Sequence, residues 1–119
     1  AARDNLAATD AKLTTLDTSL TRYVDAVRAK PNDLAARNEL GAALAAQGRI
    51  DDAIEQFRAA INIDPNQPDV HFNLGAMLDQ KGRTSEAIEQ FRIALRLNPG
   101  HVAARDALDR ITSRRGTSR

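Results

Sequence analysis

The sequence contains no cysteine and no tryptophan, and its aromatic residues are one tyrosine and three phenylalanines. The absence of cysteine excludes a disulfide framework, a thiolate nucleophile and a zinc site with cysteine ligands. The two histidines, His71 and His101, are far apart in the sequence, and no cluster of three or four convergent zinc ligands is visible around them. We therefore expect no metal and no cofactor.

Charge is nearly balanced, with 17 basic and 16 acidic residues, and the basic residues are scattered without interleaved aromatics. Such a chain has no strong field that attracts nucleic acid and no stacking surface for single strands. No apolar run approaches the length of a membrane span. No glycine-rich phosphate loop or acid–base pattern is visible either. We expect a non-enzymatic protein that contacts no nucleic acid and, in this segment, no membrane.

The chain begins Ala1-Ala2-Arg3 without a methionine, so we expect a trimmed or processed piece of a longer protein. A targeting segment or anchor would be lost with such trimming. The absence of cysteine does not fix the compartment, so the localisation stays unassigned.

The most informative feature of the sequence is an internal repeat of 34 residues. Residues 32–65 recur without a gap at residues 66–99, with fifteen identical positions. The shared positions are a Leu-Gly pair, a second glycine, an Ala-Phe-Ala series and a proline: Leu40, Gly41, Gly48, Ala53, Phe57, Ala60, Pro65 and Leu74, Gly75, Gly82, Ala87, Phe91, Ala94, Pro99. A period this regular is typical of stacked copies of one supersecondary unit.

Each copy predicts two helices. In the first copy, one helix runs from about Asp33 to Gln47 and stops at Gly48, because glycine is favoured just past a helix end. The next helix starts near Asp51, which can cap it, and Pro65 ends the unit.

This pattern resembles the tetratricopeptide repeat (TPR) family, which has these small, aromatic and proline positions at the same spacing. The family's usual large aromatic near the start of the first helix is absent, and Arg37 and His71 stand there instead. The resemblance covers two full repeats, residues 32–65 and 66–99. It implies an all-α fold, an α-solenoid of helical hairpins, that works by binding other polypeptides.

The residues after Pro99 predict one further amphipathic helix, over residues 100–113. Asp109 stands there at the position that Gly41 and Gly75 hold in the repeats. A carboxylate at that position is costly against a packed partner helix. We therefore expect a capping helix whose outer face is polar (a polar-backed capping helix), as repeat arrays need. A disordered tail is expected to follow at residues 114–119.

The N-terminal segment, residues 1–31, is predicted to be helical and allows two interpretations. Its second half aligns with the second helix of a repeat, which predicts a degenerate extra repeat that folds back. Its leucines also fall largely on heptad spacing, which predicts a long helix that pairs with another chain. On that interpretation the self-association residues are Leu6, Leu13, Leu16 and Leu20. We expect a homo-oligomer, with a frayed end as the third possibility.

Ligands of the TPR family contact the first helix of each repeat along one face. The resemblance therefore implies a peptide-binding groove of Asn38, Glu39, Ala42, Asp69, Phe72, Asn73, Ala76, Asp79, Asp106 and Arg110. Asn73 holds a position where the family often places an asparagine that grips ligand backbone, although the same amide can bond a neighbouring helix. Phe72 is either a docking residue or a packing contact between repeats.

The groove residues predict a face with a negative balance, with four carboxylates against Arg110. TPR domains that clamp the C-terminal carboxylate of heat-shock chaperones use several Lys and Arg on this face. The corresponding positions here are mostly small or neutral: Asn38, Ala42, Ala103 and Ala107. Chaperone-tail binding is therefore disfavoured, and basic or neutral polar partner segments are favoured.

The resemblance thus implies a scaffold that binds a protein or peptide partner in the groove, self-associates, or both. Two alternatives stay open. In the first, the chain is an accessory domain of a larger bacterial membrane enzyme such as a glycosyltransferase, whose catalytic residues lie in another part of the protein. In the second, it is a purely structural oligomerisation module built through the N-terminal helix.

Overall fold

The computed structural model describes residues 20–117, which form six α-helices and, within that range, no β-strand. The helices are α1 (Thr21–Ala29), α2 (Leu34–Ala46), α3 (Ile50–Ile63), α4 (Pro68–Gln80), α5 (Thr84–Leu97) and α6 (Val102–Thr117). The predicted all-α array is confirmed. None of these helices is both long enough and apolar enough to cross a membrane.

The pair α4–α5 repeats the pair α2–α3. Each of its four helix bounds lies 34 residues after the corresponding bound of the first pair. The turn inside each pair contains a glycine with positive φ, 77° at Gly48 and 79° at Gly82. Glycine adopts this left-handed conformation without the steric cost that a Cβ brings. The two turn glycines therefore fix the same hairpin twice.

Small residues let the two helices of each pair pack closely. Ala53 and Ala60 on α3 are fully buried, as are the equivalent alanines on α5. The Phe57 ring lies directly against the backbone of Gly41 on α2. Leucines of α2 and α4 fill the rest of the core, and Leu44 is 0% exposed.

The N-terminal edge of the array is α1, which packs against α2. Val24, Val27 and Leu20 are buried there, and Leu20 is 1% exposed. The prediction that Leu20 takes part in self-association is therefore wrong, because its side chain is buried in the core of its own chain. The other predicted self-association residues, Leu6, Leu13 and Leu16, lie outside the described residues.

The C-terminal edge is α6, which buries one face and leaves the other in solvent. Ala104, Ala107 and Ile111 are buried against the array, whereas Asp109 is exposed. A polar-backed capping helix was expected here, and this exposure agrees with it. The predicted boundary at residue 113 is wrong, because α6 continues to Thr117.

The start of α3 also differs from the prediction. The helix begins at Ile50, so Arg49 occupies the N-cap position and no side chain caps the helix. Asp51 lies in the first turn, where a carboxylate is stabilised by the helix dipole. Its carboxylate contacts Lys81 Nζ at 3.2 Å, at the end of α4. Asp51 therefore links two repeats and does not cap a helix.

Candidate functional site

Three side-chain pairs join the first helices of successive units, α2 to α4 and α4 to α6. Each pair joins residues 32 to 35 positions apart in the sequence. They are Asn73 Nδ2 to Asn38 Oδ1 at 3.0 Å, His101 Nε2 to Asp69 Oδ1 at 2.8 Å, and Arg114 Nη2 to Asp79 Oδ1 at 2.8 Å. We call the side of these three helices that carries the pairs the groove face. Its other members are Glu39, Ala42, Phe72, Ala76, Asp106 and Arg110.

The Asn38–Asn73 pair lies between the two repeats, and both side chains are half-buried. The bond uses the Asn38 oxygen and one N–H of Asn73. Asn38 keeps its amide N–H donors and Asn73 keeps its carbonyl acceptor. Ala42 and Ala76 each follow within one helical turn and have small side chains, exposed and half-buried respectively. The pair thus offers free amide N–H donors and one carbonyl acceptor beside two small side chains.

The carboxylates of the groove face are less free than the sequence suggested. Asp79, whose side chain is 26% exposed, forms an ion pair with Arg114. Asp69 accepts from His101 although its side chain is 84% exposed. Arg114 was predicted to lie in a disordered tail, so the sequence missed this cation on the groove face. Asp106 and Arg110 are exposed one turn apart on α6.

Glu39 is exposed on α2, on the side that faces α1. A hydrogen bond and charge interaction with Tyr23 raise the pKa of the Arg22 guanidinium above its ordinary value, and Glu39 adds a smaller rise. Glu39 therefore lies within electrostatic range of Arg22. Glu39 on α2 and Asp106 on α6 thus add exposed carboxylates to the groove face, and each has an arginine in its neighbourhood.

His101 fixes the junction between α4 and α6. Its Nδ1 accepts the Ala104 backbone N–H at 3.1 Å, which places the ring proton on Nε2, and Nε2 donates to Asp69. The Phe72 ring lies 5.4 Å from the His101 ring and 5.6 Å from the Phe91 ring, measured between centroids. Phe72 is half-buried and packs between units, which is the second of the two roles that its position allowed.

The residues that replace the family's aromatic form a repeated hydrogen-bond pattern. At each of the three equivalent positions, a side chain bonds the carbonyl oxygen of the proline six residues earlier. The contacts are Arg37 Nε to Pro31 at 3.0 Å, His71 Nε2 to Pro65 at 2.7 Å, and Arg105 Nη2 to Pro99 at 2.8 Å. Because a carbonyl oxygen only accepts, Nε2 of His71 carries a hydrogen.

A glutamine of the second helix completes this pattern inside each repeat. Arg37 Nη1 donates to Gln56 Oε1 at 3.1 Å, and His71 Nδ1 contacts Gln90 Oε1 at 2.7 Å. The signal in the sequence is the Glu-Gln-Phe-Arg series, which occurs in both repeats at the same place. Arg37 and His71 are thus both held in place by contacts within their own repeat or its preceding loop. Within residues 20–117, no group of His, Asp and Glu side chains is placed to hold a metal ion.

Known families match the repeat region. A family model described as TPR repeat matches residues 42–82, and a second, described as Tetratricopeptide repeat, matches residues 68–101. A comparison with curated proteins found no match.

Solved structures share the fold. YrrB, described as a TPR protein with an unusual peptide-binding site, is 32% identical with a TM-score of 0.73. The match covers 76% of this chain and 46% of that one. MamA is 23% identical with a TM-score of 0.76, over 82% of this chain and 57% of that one. This chain therefore spans about half the length of these two relatives.

Two further solved structures match this chain. The O-GlcNAc transferase of Thermobaculum terrenum, in a mutant form, is 27% identical with a TM-score of 0.72. The match covers 76% of this chain but 17% of the transferase. The first TPR of Spaghetti (RPAP3), bound to the HSP90 peptide SRMEEVD, is 16% identical with a TM-score of 0.78. That match covers 82% of this chain and 77% of the other, and at this identity it shows the fold alone.

Proposed function

Because this chain belongs to the tetratricopeptide repeat family, we propose that it binds an extended segment of a partner protein across the groove face. Its repeats form a protein-interaction scaffold. The single observation that carries the proposal is the Asn38–Asn73 pair at 3.0 Å.

The pair matches what an extended backbone offers. Each residue of an extended segment presents one N–H donor and one C=O acceptor. The Asn38 amide group can donate to such a carbonyl, and the Asn73 oxygen can accept from such an N–H. Residues 20–117 provide neither group with another partner. The mutual bond also holds both side chains in place, which reduces the entropy lost when a ligand binds.

The surroundings of the pair favour a segment with basic or neutral polar side chains. Ala42 and Ala76 leave room for ligand side chains beside the amides. The exposed carboxylates of Glu39, Asp69 and Asp106 belong to the groove face and attract cations. YrrB, at 32% identity, is described as having a peptide-binding site, which supports a peptide as the ligand class.

An acidic chaperone tail such as the one bound to Spaghetti fits poorly. Ala107, which stands where a clamp would have a cation, is 2% exposed and belongs to the core. Ala103 is exposed but carries no charge. A tail carboxylate would instead meet Asp106, and like charges at close range cost binding energy.

The test begins with a random peptide library displayed on phage and selected on the full chain. Affinities of the selected synthetic peptides are then measured by calorimetry for wild type, Asn38→Ala and Asn73→Ala. Each variant should lose about 1–3 kcal/mol, because a buried backbone group loses its partner. Glu89→Ala, an exposed change on α5, is the control and should bind as wild type. Peptides that bind all four proteins equally would refute the groove.

Self-association is a second proposal, which rests on the heptad spacing of Leu6, Leu13 and Leu16. Leucines at heptad spacing pack against a second helix in coiled coils, and a second copy of this chain supplies such a helix. The burial of Leu20 narrows the proposed contact to the residues before it.

A role as the accessory domain of a larger enzyme is favoured by one observation. The match with the O-GlcNAc transferase of Thermobaculum terrenum covers 76% of this chain. The complete coding sequence decides this proposal. A catalytic domain on the same polypeptide would support it, and an open reading frame that holds repeats alone would refute it.

A further inference from the structure

The Arg37 side chain is a buried permanent cation. The residue is 8% exposed, and residues 20–117 provide no carboxylate within 4.0 Å of its guanidinium. Buried charges in proteins are normally paired, because leaving an ion unpaired away from water costs several kcal/mol. Burial lowers the pKa of Arg37 below its ordinary value, and the more distant charge of Glu55 opposes that shift.

The equivalent positions of the other two units differ from Arg37. His71 is buried, and its neutral ring donates from Nε2 to the Pro65 carbonyl and accepts at Nδ1 when the Gln90 amide is turned to present its N–H group. Arg105 is exposed, so water solvates its charge. Arg37 is thus the one member of this set that is buried, permanently charged and without a carboxylate partner within the described part of the chain.

Arg37 also lines a cleft. The cleft has a volume of about 410 Å³ and lies between the α1–α2 loop and the C-terminal half of α3. Its lining consists of Pro31, Asn32, Arg37, Ala59, Asn62 and Ile63. The Nε group and one Nη1 hydrogen of Arg37 are bonded, which leaves three N–H donors of the guanidinium.

The other lining residues define the rest of the ligand. Asn32 and Asn62 bring amide groups that can donate to a second anionic oxygen. Pro31, Ala59 and Ile63 form an apolar wall, and Ile63 is 36% exposed although it is a large hydrophobic residue. A ligand with a carboxylate beside a short apolar group can contact both the polar groups and the apolar wall of the cleft.

We propose that this cleft, which we call the Arg37 cleft, binds a carboxylate that carries a short apolar group. The planar guanidinium fork matches the two oxygens of a carboxylate better than the three-fold geometry of a phosphate face. Two sources offer this chemistry, a free small carboxylic acid and the C-terminal residue of a peptide. The cleft includes residues of α3 and no residue of the groove face, so this proposal is independent of partner binding in the groove.

The test uses four defined probes on the full ¹⁵N-labelled chain. These are butyrate, N-acetyl-leucine, N-acetyl-leucine amide and inorganic phosphate. N-acetyl-leucine should cause saturable shifts of the amides of Asn32, Asn62 and Ile63 and of Arg37 Nε–H, and the uncharged amide should cause none. Butyrate binding as tightly as N-acetyl-leucine assigns a free acid as the source, and weaker butyrate binding assigns a peptide terminus.

Two variants remove the anion site without relying on a disrupted fold. Arg37→His installs the residue that already makes both contacts at the equivalent position of the second repeat, and it removes the permanent positive charge of the guanidinium at pH 8. Asn62→Asp supplies a carboxylate to the cleft. Each should weaken N-acetyl-leucine binding about tenfold or more. Asn62→Ser keeps a neutral polar group and should retain most of the affinity.

The proposal is overturned by any of three results. These are no saturable shift from N-acetyl-leucine, equal binding of its amide or of phosphate, and unchanged affinity in the Arg37→His protein with wild-type helicity. If Arg37→His loses helicity, the decision rests on Asn62→Asp, which changes only an exposed side chain.

Discussion

The Phe57 ring occupies the space that a side chain at Gly41 would need. A Cβ atom built on Gly41 would lie 2.6 Å from Cε1 of Phe57, and one on Gly75 would lie 2.8 Å from Cε1 of Phe91. Real carbon atoms do not approach so closely, and the Phe57 ring is 2% exposed and has no room to withdraw. The close contact of the two helices in each repeat therefore requires a glycine at this position.

Replacing Gly41 with alanine should destabilise the array by about 1–3 kcal/mol, because overpacking outweighs the helix propensity of alanine. Urea unfolding followed by circular dichroism measures the loss. The double change Gly41→Ala with Phe57→Leu should lose less than the two single changes added together. A Gly41→Ala protein as stable as wild type would contradict the tight contact.

Gly48→Ala is the matched comparison, and it should destabilise for another reason. No atom lies within 4 Å of a Cβ at Gly48, but its φ of +77° costs an alanine about 1–2 kcal/mol. Phe57→Leu should therefore add its own cost to Gly48→Ala without offsetting it. Partial rescue of Gly48→Ala by Phe57→Leu would show that turn strain is not the cause.

His101→Ala should cost more stability than Asp69→Asn. The first change removes the acceptor for the Ala104 N–H at the start of α6, and loss of an N-cap acceptor costs about 0.5–2 kcal/mol. The second keeps an oxygen acceptor in a pair whose Asp69 side is 84% exposed, where ion pairs contribute little. Thermal unfolding of the two proteins compares the losses, and the reverse order would contradict this assignment.

The turn between the repeats should contain a carboxyl group that titrates unusually low. Donation from the Gln67 side chain to Asp64 Oδ2 at 2.8 Å, and from the Asn66 N–H to Oδ1 at 2.9 Å, lowers the pKa of Asp64. Gln67→Ala should move this pKa up toward the ordinary value of about 3.9. NMR titration of the Asp64 carboxyl carbon reads it directly, and Gln80→Ala is the control.

The sign of the Asp64 shift also predicts a pH dependence of stability. Because the folded-state pKa lies below the unfolded one, the stabilisation is complete above about pH 4 and is lost as the pH falls through the folded value. The corresponding residue of the second repeat, Asn98, bonds the Gly100 N–H at 3.1 Å and does not titrate. An Asp64→Asn protein should therefore lose this part of the pH dependence. An unchanged difference in stability between pH 6 and pH 3 would contradict it.

The double change Leu13→Asp with Leu16→Asp should give monomers and leave the repeats folded, if residues 6 to 16 form the proposed contact between chains. Leu20→Asp should instead destabilise the array, because its side chain is buried at 1% exposure. Sedimentation equilibrium and circular dichroism separate the two effects. A wild-type chain that is monomeric at high concentration would refute self-association and favour the folded-back repeat.

The 34-residue period was enough to predict both helical pairs, because the residues that end and pack each helix recur at fixed places. Gly48 and Gly82 mark the turns, and the Gly41–Phe57 contact was implied by small and aromatic residues at paired positions. The start of α3 was misjudged because Asp51 fits both a cap and a first turn. Two positions separate the predicted cap at Asp51 from the observed cap at Arg49, and sequence preference does not resolve such a difference.

Contacts between units could not be predicted from the sequence, because they depend on how one hairpin stacks on the next. Asn38 and Asn73 are 35 residues apart, so their bond requires an offset of one residue from the repeat period. The ion pair of Asp79 with Arg114 has the same offset and is part of a helix turn that was predicted to be a tail. Helical periodicity describes one helix at a time and contains no information about this offset.

Peptide binding across the groove face is tested most directly by locating a selected peptide on the full chain. Amide shifts of ¹⁵N-labelled protein, with a spin label at the end of the peptide, give the position and direction of the bound segment. We predict saturable shifts at Asn38, Ala42, Asn73 and Ala76 and only small ones on the outer helices α3 and α5. A bound peptide whose shifts and broadening centre on α3 or α5 would contradict the account.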